Sequence, residues 1–221
     1  MKFNLKNELP NILIVLWPSM YLLSIWNALP DVVPTHWDYR GVADDFGSKW
    51  TLWFLALGLP VGTYLSFFIL PKIDPKGKLH LMGAKYPKMK LILTTLFSLL
   101  AIYIIYSTQN NELDRQLGIV FISILFIVLG NFMPSIKPNY FLGIRVPWTL
   151  HNEYNWRKTH QFAGKLWMAS GLVMLFIALF ASEEGWKSTF FPIIIAISLI
   201  PTVYSFLLFR RGNDGTDEVG R

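Results

Sequence analysis

Six long apolar runs set the pattern of this chain: residues 9–29, 50–70, 89–107, 117–133, 161–181 and 189–209. Each is rich in Leu, Ile, Val and Phe and almost free of charge. Lys165 lies near one end of the fifth run, and Lys90, one residue into the third, is counted with the basic loop before it. A bilayer core of about 30 Å takes roughly 20 apolar residues of helix, so each run predicts one membrane-spanning helix. Helices of a soluble core seldom stay uncharged all round for that length. Pro18, Pro60 and Pro201 fall inside runs, which a membrane bundle tolerates because neighbouring helices can satisfy the freed carbonyls.

The polar stretches between runs predict the rest. In residues 30–49, Val32, Val33 and Thr35 favour extended backbone, and Asp38-Tyr39-Arg40-Gly41 reads as a tight turn with Asp first and Gly last. A short hairpin is expected there, with Ser48 capping the second helix. Gly58 and Gly62 sit at the small-xxx-small spacing, which predicts close approach of another helix. Residues 72–90 hold six lysines and read as a solvated or lipid-facing basic loop, or else as a docking surface. Residues 108–116 form a short polar turn. Asn131, near the end of the fourth run, is expected to bond across helices.

Residues 130–165 are different. Pro134, Pro138 and Pro147 remove donors and push their predecessors out of the helical region, in a stretch dense in Trp, Asn and cations. It is too polar to face lipid, and a re-entrant or interfacial element packed under the bundle is expected. Thr149 is placed to cap the next helix, with Glu153 and Arg157 spaced to pair. Arg157, His160 and Gly164 share one face of that helix.

Composition agrees. The chain has 221 residues, 53% hydrophobic and only 15% charged, against about 25% in soluble domains. The net charge of +6 suggests nucleic acid only until its distribution is considered. If loops alternate sides from an inside N-terminus, sixteen of the twenty Lys and Arg fall inside. The positive-inside rule then puts both termini in the cytoplasm. The basic excess is an orientation signal and a contact for anionic membrane lipids, and no nucleic-acid partner is expected. The fold class is an all-α membrane protein: a six-transmembrane-helix bundle, N-in and C-in. A two-helix unit is expected over 1–71, a basic cytoplasmic loop over 72–88, a four-helix unit over 89–210 and a disordered tail over 211–221.

Candidate chemistry is sparse. Cysteine is absent, which removes thiolate chemistry. No zincin, nucleophile-elbow or P-loop motif occurs, so no catalytic residue, cofactor or enzyme activity is expected. His36, Asp38, Asp44 and Asp45 offer nitrogen and oxygen ligands, but their spacing matches no standard metal motif, and no metal is assigned. The same loop, with Trp37, Tyr39, Phe46 and Trp50, reads alternatively as an acidic, aromatic-rimmed receptor for a peptide, or as turn-capping structure. His160 is a candidate proton-linked residue. Ionisable residues near a membrane are functional candidates by default, against a structural reading as snorkelling cations and an ion pair.

The run GNFMPSIKPNYFLGIRVPWTL, with Trp156-Arg157-Lys158-Thr159-His160 and Gly164-Lys165 after it, resembles the signature of the SdpI family of bacterial membrane proteins. Its positions here are Asn131, Pro134, Asn139, Gly143, Arg145, Trp148, Trp156, Arg157, His160 and Gly164. Pro34-Thr35-His36-Trp37-Asp38, Gly41, Asp44 and Gly47-Ser48-Lys49 are similar to the uncharacterised domain that often precedes it. The resemblance implies immunity to a secreted antimicrobial peptide toxin, and in at least one member a receptor that holds a transcriptional repressor at the membrane. On that reading His36, Trp37, Asp38, Gly41, Asp44 and Lys49 form the outer ligand-binding loop. A small transporter or channel-like protein is the alternative.

Overall fold

The computed structural model of the chain describes residues 4–38, 42–110 and 113–212. Gly41, the Tyr39-Arg40 turn tip, residues 111–112 of the expected polar turn, and residues 213–221 of the expected tail lie outside them.

All six expected spans are present, as helices long and apolar enough to cross a membrane. Helix α1 is Leu5–Ile25, started by the Asn4 side chain accepting from the Lys6 amide, and continues as a 3-10 turn, Trp26–Ala28. Strands β1 (Val32–Trp37) and β2 (Ala43–Ser48) pair antiparallel. Helix α2 is Thr51–Ile73, α3 is Lys85–Asn110 and α4 is Arg115–Phe132. A one-turn α5 (Pro147–His151) precedes α6 (Glu153–Phe180) and α7 (Glu183–Arg210). The set of six membrane helices read from the apolar runs is thus borne out, most of them a few residues longer at the polar ends.

Contacts divide the chain into two units, Met1–Ile69 with Pro87–Phe121, and Leu70–Tyr86 with Ile122–Arg221. In the first, Leu22, Leu29, Val33, Leu52, Ala56 and Ile105 form the core that seats the hairpin on the helices. Pro60 has no amide hydrogen for the Ala56 carbonyl four residues back. The helix loosens into a π turn over Phe54–Gly58 just before it, and the Ser19 hydroxyl of α1 reaches that freed carbonyl at 3.5 Å. Gly58 and Gly62 meet nothing within 4 Å of where a Cβ would stand. The expected close helix approach at that pair is therefore absent among the described residues, because their face of α2 points away from the unit.

The same unit holds a feature that overturns one reading. Lys90, counted with the basic loop, is buried in α3, and its ammonium grips both oxygens of buried Glu8 at 2.5 and 2.6 Å. Tyr64 donates to the same carboxylate at 3.1 Å and Asn11 at 3.3 Å. The Phe68 ring lies 4.5 Å from the ammonium. A buried charge needs this density of partners to persist.

In the second unit the close approach is made by other glycines. A Cβ on Gly130 of α4 would stand 2.6 Å from the Met168 amide of α6. One on Gly164 would stand 2.7 Å from the Gly130 carbonyl, and one on Gly171 2.8 Å from that of Ser123. Small residues here let two backbones touch. Pro201 of α7 frees the Ile197 carbonyl, and the Trp167 indole donates to it at 2.9 Å.

Candidate functional site

Residues 133–152 fold as a cluster of turns and the short α5 against the first three turns of α6. After α4 a 3-10 turn, Met133–Ser135, leads into non-helical backbone. Asn139 is fully buried and organises it: its amide donates to the Lys137 and Leu142 carbonyls at 2.8 and 3.1 Å, and its oxygen accepts from the Phe141 and Leu142 amides at 2.8 and 2.7 Å. All four of its hydrogen-bonding positions are therefore used. Arg145 closes the loop by donating to the Tyr140 carbonyl at 2.7 Å.

Gly143 has a φ of +100° and lies against the His160 ring, where a Cβ would collide with Nε2. Only glycine meets both demands. With its proton on Nδ1, the neutral His160 ring donates to the Trp156 carbonyl at 2.8 Å and accepts the Ile144 amide on Nε2 at 3.1 Å. Trp156 stacks on that ring, centroids 4.1 Å apart, and donates to the Ile136 carbonyl at 2.8 Å. His160 thus spends both nitrogens holding the turn to the helix.

The helix start differs from expectation. Thr149 lies inside α5, where its hydroxyl accepts from the Val146 amide at 3.1 Å and donates to the Ile144 carbonyl at 2.8 Å. The cap of α6 is Asn152, accepting from the Asn155 amide at 2.8 Å. Glu153 pairs with Lys78 rather than with Arg157. A lysine reaching in from the basic loop competes better than a helical neighbour that lies over Tyr154 instead. Asn131 is exposed and has no hydrogen-bond partner among the described residues, so the expected bond across helices is also absent.

The basic loop is not merely solvated. Buried Leu79 and Met82 anchor it, and Lys76 donates to the Leu150 carbonyl at 2.6 Å, Lys85 to the Ser135 hydroxyl at 2.7 Å. Asp74 accepts the Tyr140 amide at 3.1 Å. The loop is a strap across the Pro-rich segment. Trp148 fastens the other side, donating to the Ser205 hydroxyl of α7 at 2.7 Å, while the buried Asn155 amide reaches the Ser205 carbonyl at 2.9 Å. Pro134 packs its ring where a Gly164 side chain would go.

The hairpin carries the other candidates. His36 Nδ1 meets Asp44 Oδ1 at 2.5 Å. The hydrogen bond to Asp44, and then its charge, raise the His36 pKa above the usual imidazole value, with Asp45 and Asp38 adding to the effect. Asp38 accepts the Val42 amide at 3.0 Å. Trp37 is half-buried, and its indole nitrogen has no partner among the described residues. Lys49 anchors the base, reaching Asp31 at 3.0 Å and the Leu29 carbonyl at 3.4 Å over the Trp26 ring. Among the described residues no three His, Asp or Glu converge as a metal would need.

Sequence reasoning missed Glu8, Lys90, Asp74, Asn155 and Trp167. Glu8 and Lys90 sit at the margins of apolar runs, where a charge reads as a loop residue. Their partners lie far along the chain.

The model of the SdpI/YfhL protein family matches residues 135–205, and a domain of unknown function, DUF1648, matches residues 13–59. The Immunity protein SdpI of Bacillus subtilis (strain 168) is 25% identical over 210 residues, covering 95% of this chain and 99% of that protein. No solved structure matches. The cluster of turns, α6 and most of α7 therefore make up a segment that matches the SdpI/YfhL family model, following a segment with the hairpin that matches DUF1648, and along nearly its whole length the chain is similar to the Immunity protein SdpI.

Proposed function

We propose that this chain is a membrane immunity protein that protects the cell making it from a secreted antimicrobial peptide. The observation that carries the reading is the similarity to the Immunity protein SdpI along nearly the full length of both chains. The reading is of a binding and shielding protein, not of a catalyst.

The excess of Lys and Arg on alternate loops favours both termini inside and the hairpin outside. The hairpin then meets the peptide first. Val32, Val42, Phe46 and Trp50 are exposed on it or at its base, beside the acids Asp31, Asp44 and Asp45. Apolar side chains rimmed by carboxylates suit a cationic amphipathic peptide. His36, Trp37, Asp38, Asp44 and Lys49 hold this surface in shape. Tethering of a cytoplasmic repressor falls to the exposed Lys72 and Lys88, since Lys76, Lys78 and Lys85 are committed to the strap.

The test is a toxin challenge of sensitive bacteria producing the protein. Cells with the wild-type chain survive, and Phe46→Ala with Asp45→Asn removes protection at unchanged membrane levels. A repressor held by the chain fractionates with membranes and is released by Lys72→Gln with Lys88→Gln. Killing that is unaffected by wild-type protein in the membrane would refute the reading.

A further inference from the structure

An open groove of about 610 Å³ lies between the Pro-rich backbone and the first turns of α6, lined by Pro134, Lys137, Tyr154, Trp156, Arg157 and Gln161 among others. Lys137 and Arg157 are exposed, and neither forms an ion pair with a described residue. Glu153 also lines the groove, but Lys78 already neutralises it. The groove thus presents Arg157, and Lys137 sharing the charge of Glu153 with Lys78, beside an indole and a proline ring.

The continuation of α6 gives these cations a direction. Arg157, Gln161 and Lys165 are exposed on one face. The same face continues, at steps of three and four residues, as exposed Met168, Leu172 and Phe176. Polar anchors at one end of a spanning helix run without a break into an apolar lane. A free anion would use only the first part, and a hydrocarbon only the second. An anionic amphiphile uses both.

We propose that this groove seats the phosphate headgroup of an anionic phospholipid between Lys137 and Arg157, with an acyl chain lying along Met168, Leu172 and Phe176. Basic pockets between membrane helices bind such headgroups because the membrane surface concentrates them beside the cations. Gln161 and the Tyr154 hydroxyl supply neutral partners to the ester and glycerol oxygens. The site does not depend on the immunity reading.

The experiment uses the full chain in micelles and in phosphatidylcholine nanodiscs, with bound lipid measured by native mass spectrometry and by titration of phosphatidylglycerol. Wild-type protein retains phosphatidylglycerol over phosphatidylcholine. Lys137→Gln with Arg157→Gln weakens it roughly thirtyfold, about fivefold for each cation. Met168→Ser with Leu172→Ser also weakens it with both cations intact, which separates a lipid from a bare anion and serves if the first variant does not fold. Lys72→Gln with Lys88→Gln leaves it unchanged. Equal retention of phosphatidylcholine, equal loss in the Lys72 and Lys88 variant, or displacement by soluble glycerol phosphate or an oligoglutamate peptide overturns the proposal.

Discussion

Single residues decide whether the turns close. Gly143 and His160 are one device: the positive φ lets the backbone pass the imidazole, and the imidazole fixes the next amide. On the hairpin, His36 and Asp44 form a second device, exposed to solvent. Because the His36 pKa is raised in the fold by its bond to Asp44, the pair contributes stability that is complete below the unfolded value near 6.5 and is lost as pH rises through the raised value. An NMR titration is expected to show His36 changing charge above the usual imidazole value, and Asp44→Asn is expected to lower its midpoint. A His36 midpoint indifferent to Asp44→Asn contradicts the pairing.

Elements are joined by polar contacts where apolar packing alone would leave them free to slide. The Glu8–Lys90 pair ties α1 to α3, and Tyr64 brings in α2. Removing one partner strands the other charge in a buried place, which costs about 3–5 kcal/mol. Lys90→Met is therefore expected to lower the denaturant midpoint of detergent-solubilised protein sharply. Glu8→Leu with Lys90→Met recovers most of the loss, since replacing both charges by apolar groups is often neutral. A double variant as unstable as the single one shows that the loss lies in packing instead. The Trp167 indole at the Ile197 carbonyl follows the same logic: a proline opens an acceptor inside α7, and α6 fills it.

For the whole molecule the governing physics is the bilayer. Backbone groups that cross a bilayer core need partners within the protein, and helices supply them along all six spans, while the non-helical turns after α4 take theirs from Asn139, Asp74 and His160. The chain has no cysteine, so introduced ones report unambiguously. Asp45→Cys is expected to react with an impermeant maleimide in intact cells, and Lys72→Cys only after permeabilisation. The reverse pattern inverts the orientation and removes the peptide-facing role of the hairpin.

The six spans, the hairpin and the importance of residues 130–165 were legible in the linear chain. Hydrophobicity is a local, additive property, and turn chemistry and a Pro-rich interruption are local too. The partners of the polar groups were not legible. Glu8 finds Lys90 across 82 residues, Glu153 finds Lys78 across 75, and the Gly130–Gly164 crossing replaces the one expected at Gly58 and Gly62. A charge or a glycine specifies what kind of neighbour it tolerates, not which one arrives. Only packing, by bringing distant helices together, chooses among the candidates that the chain offers.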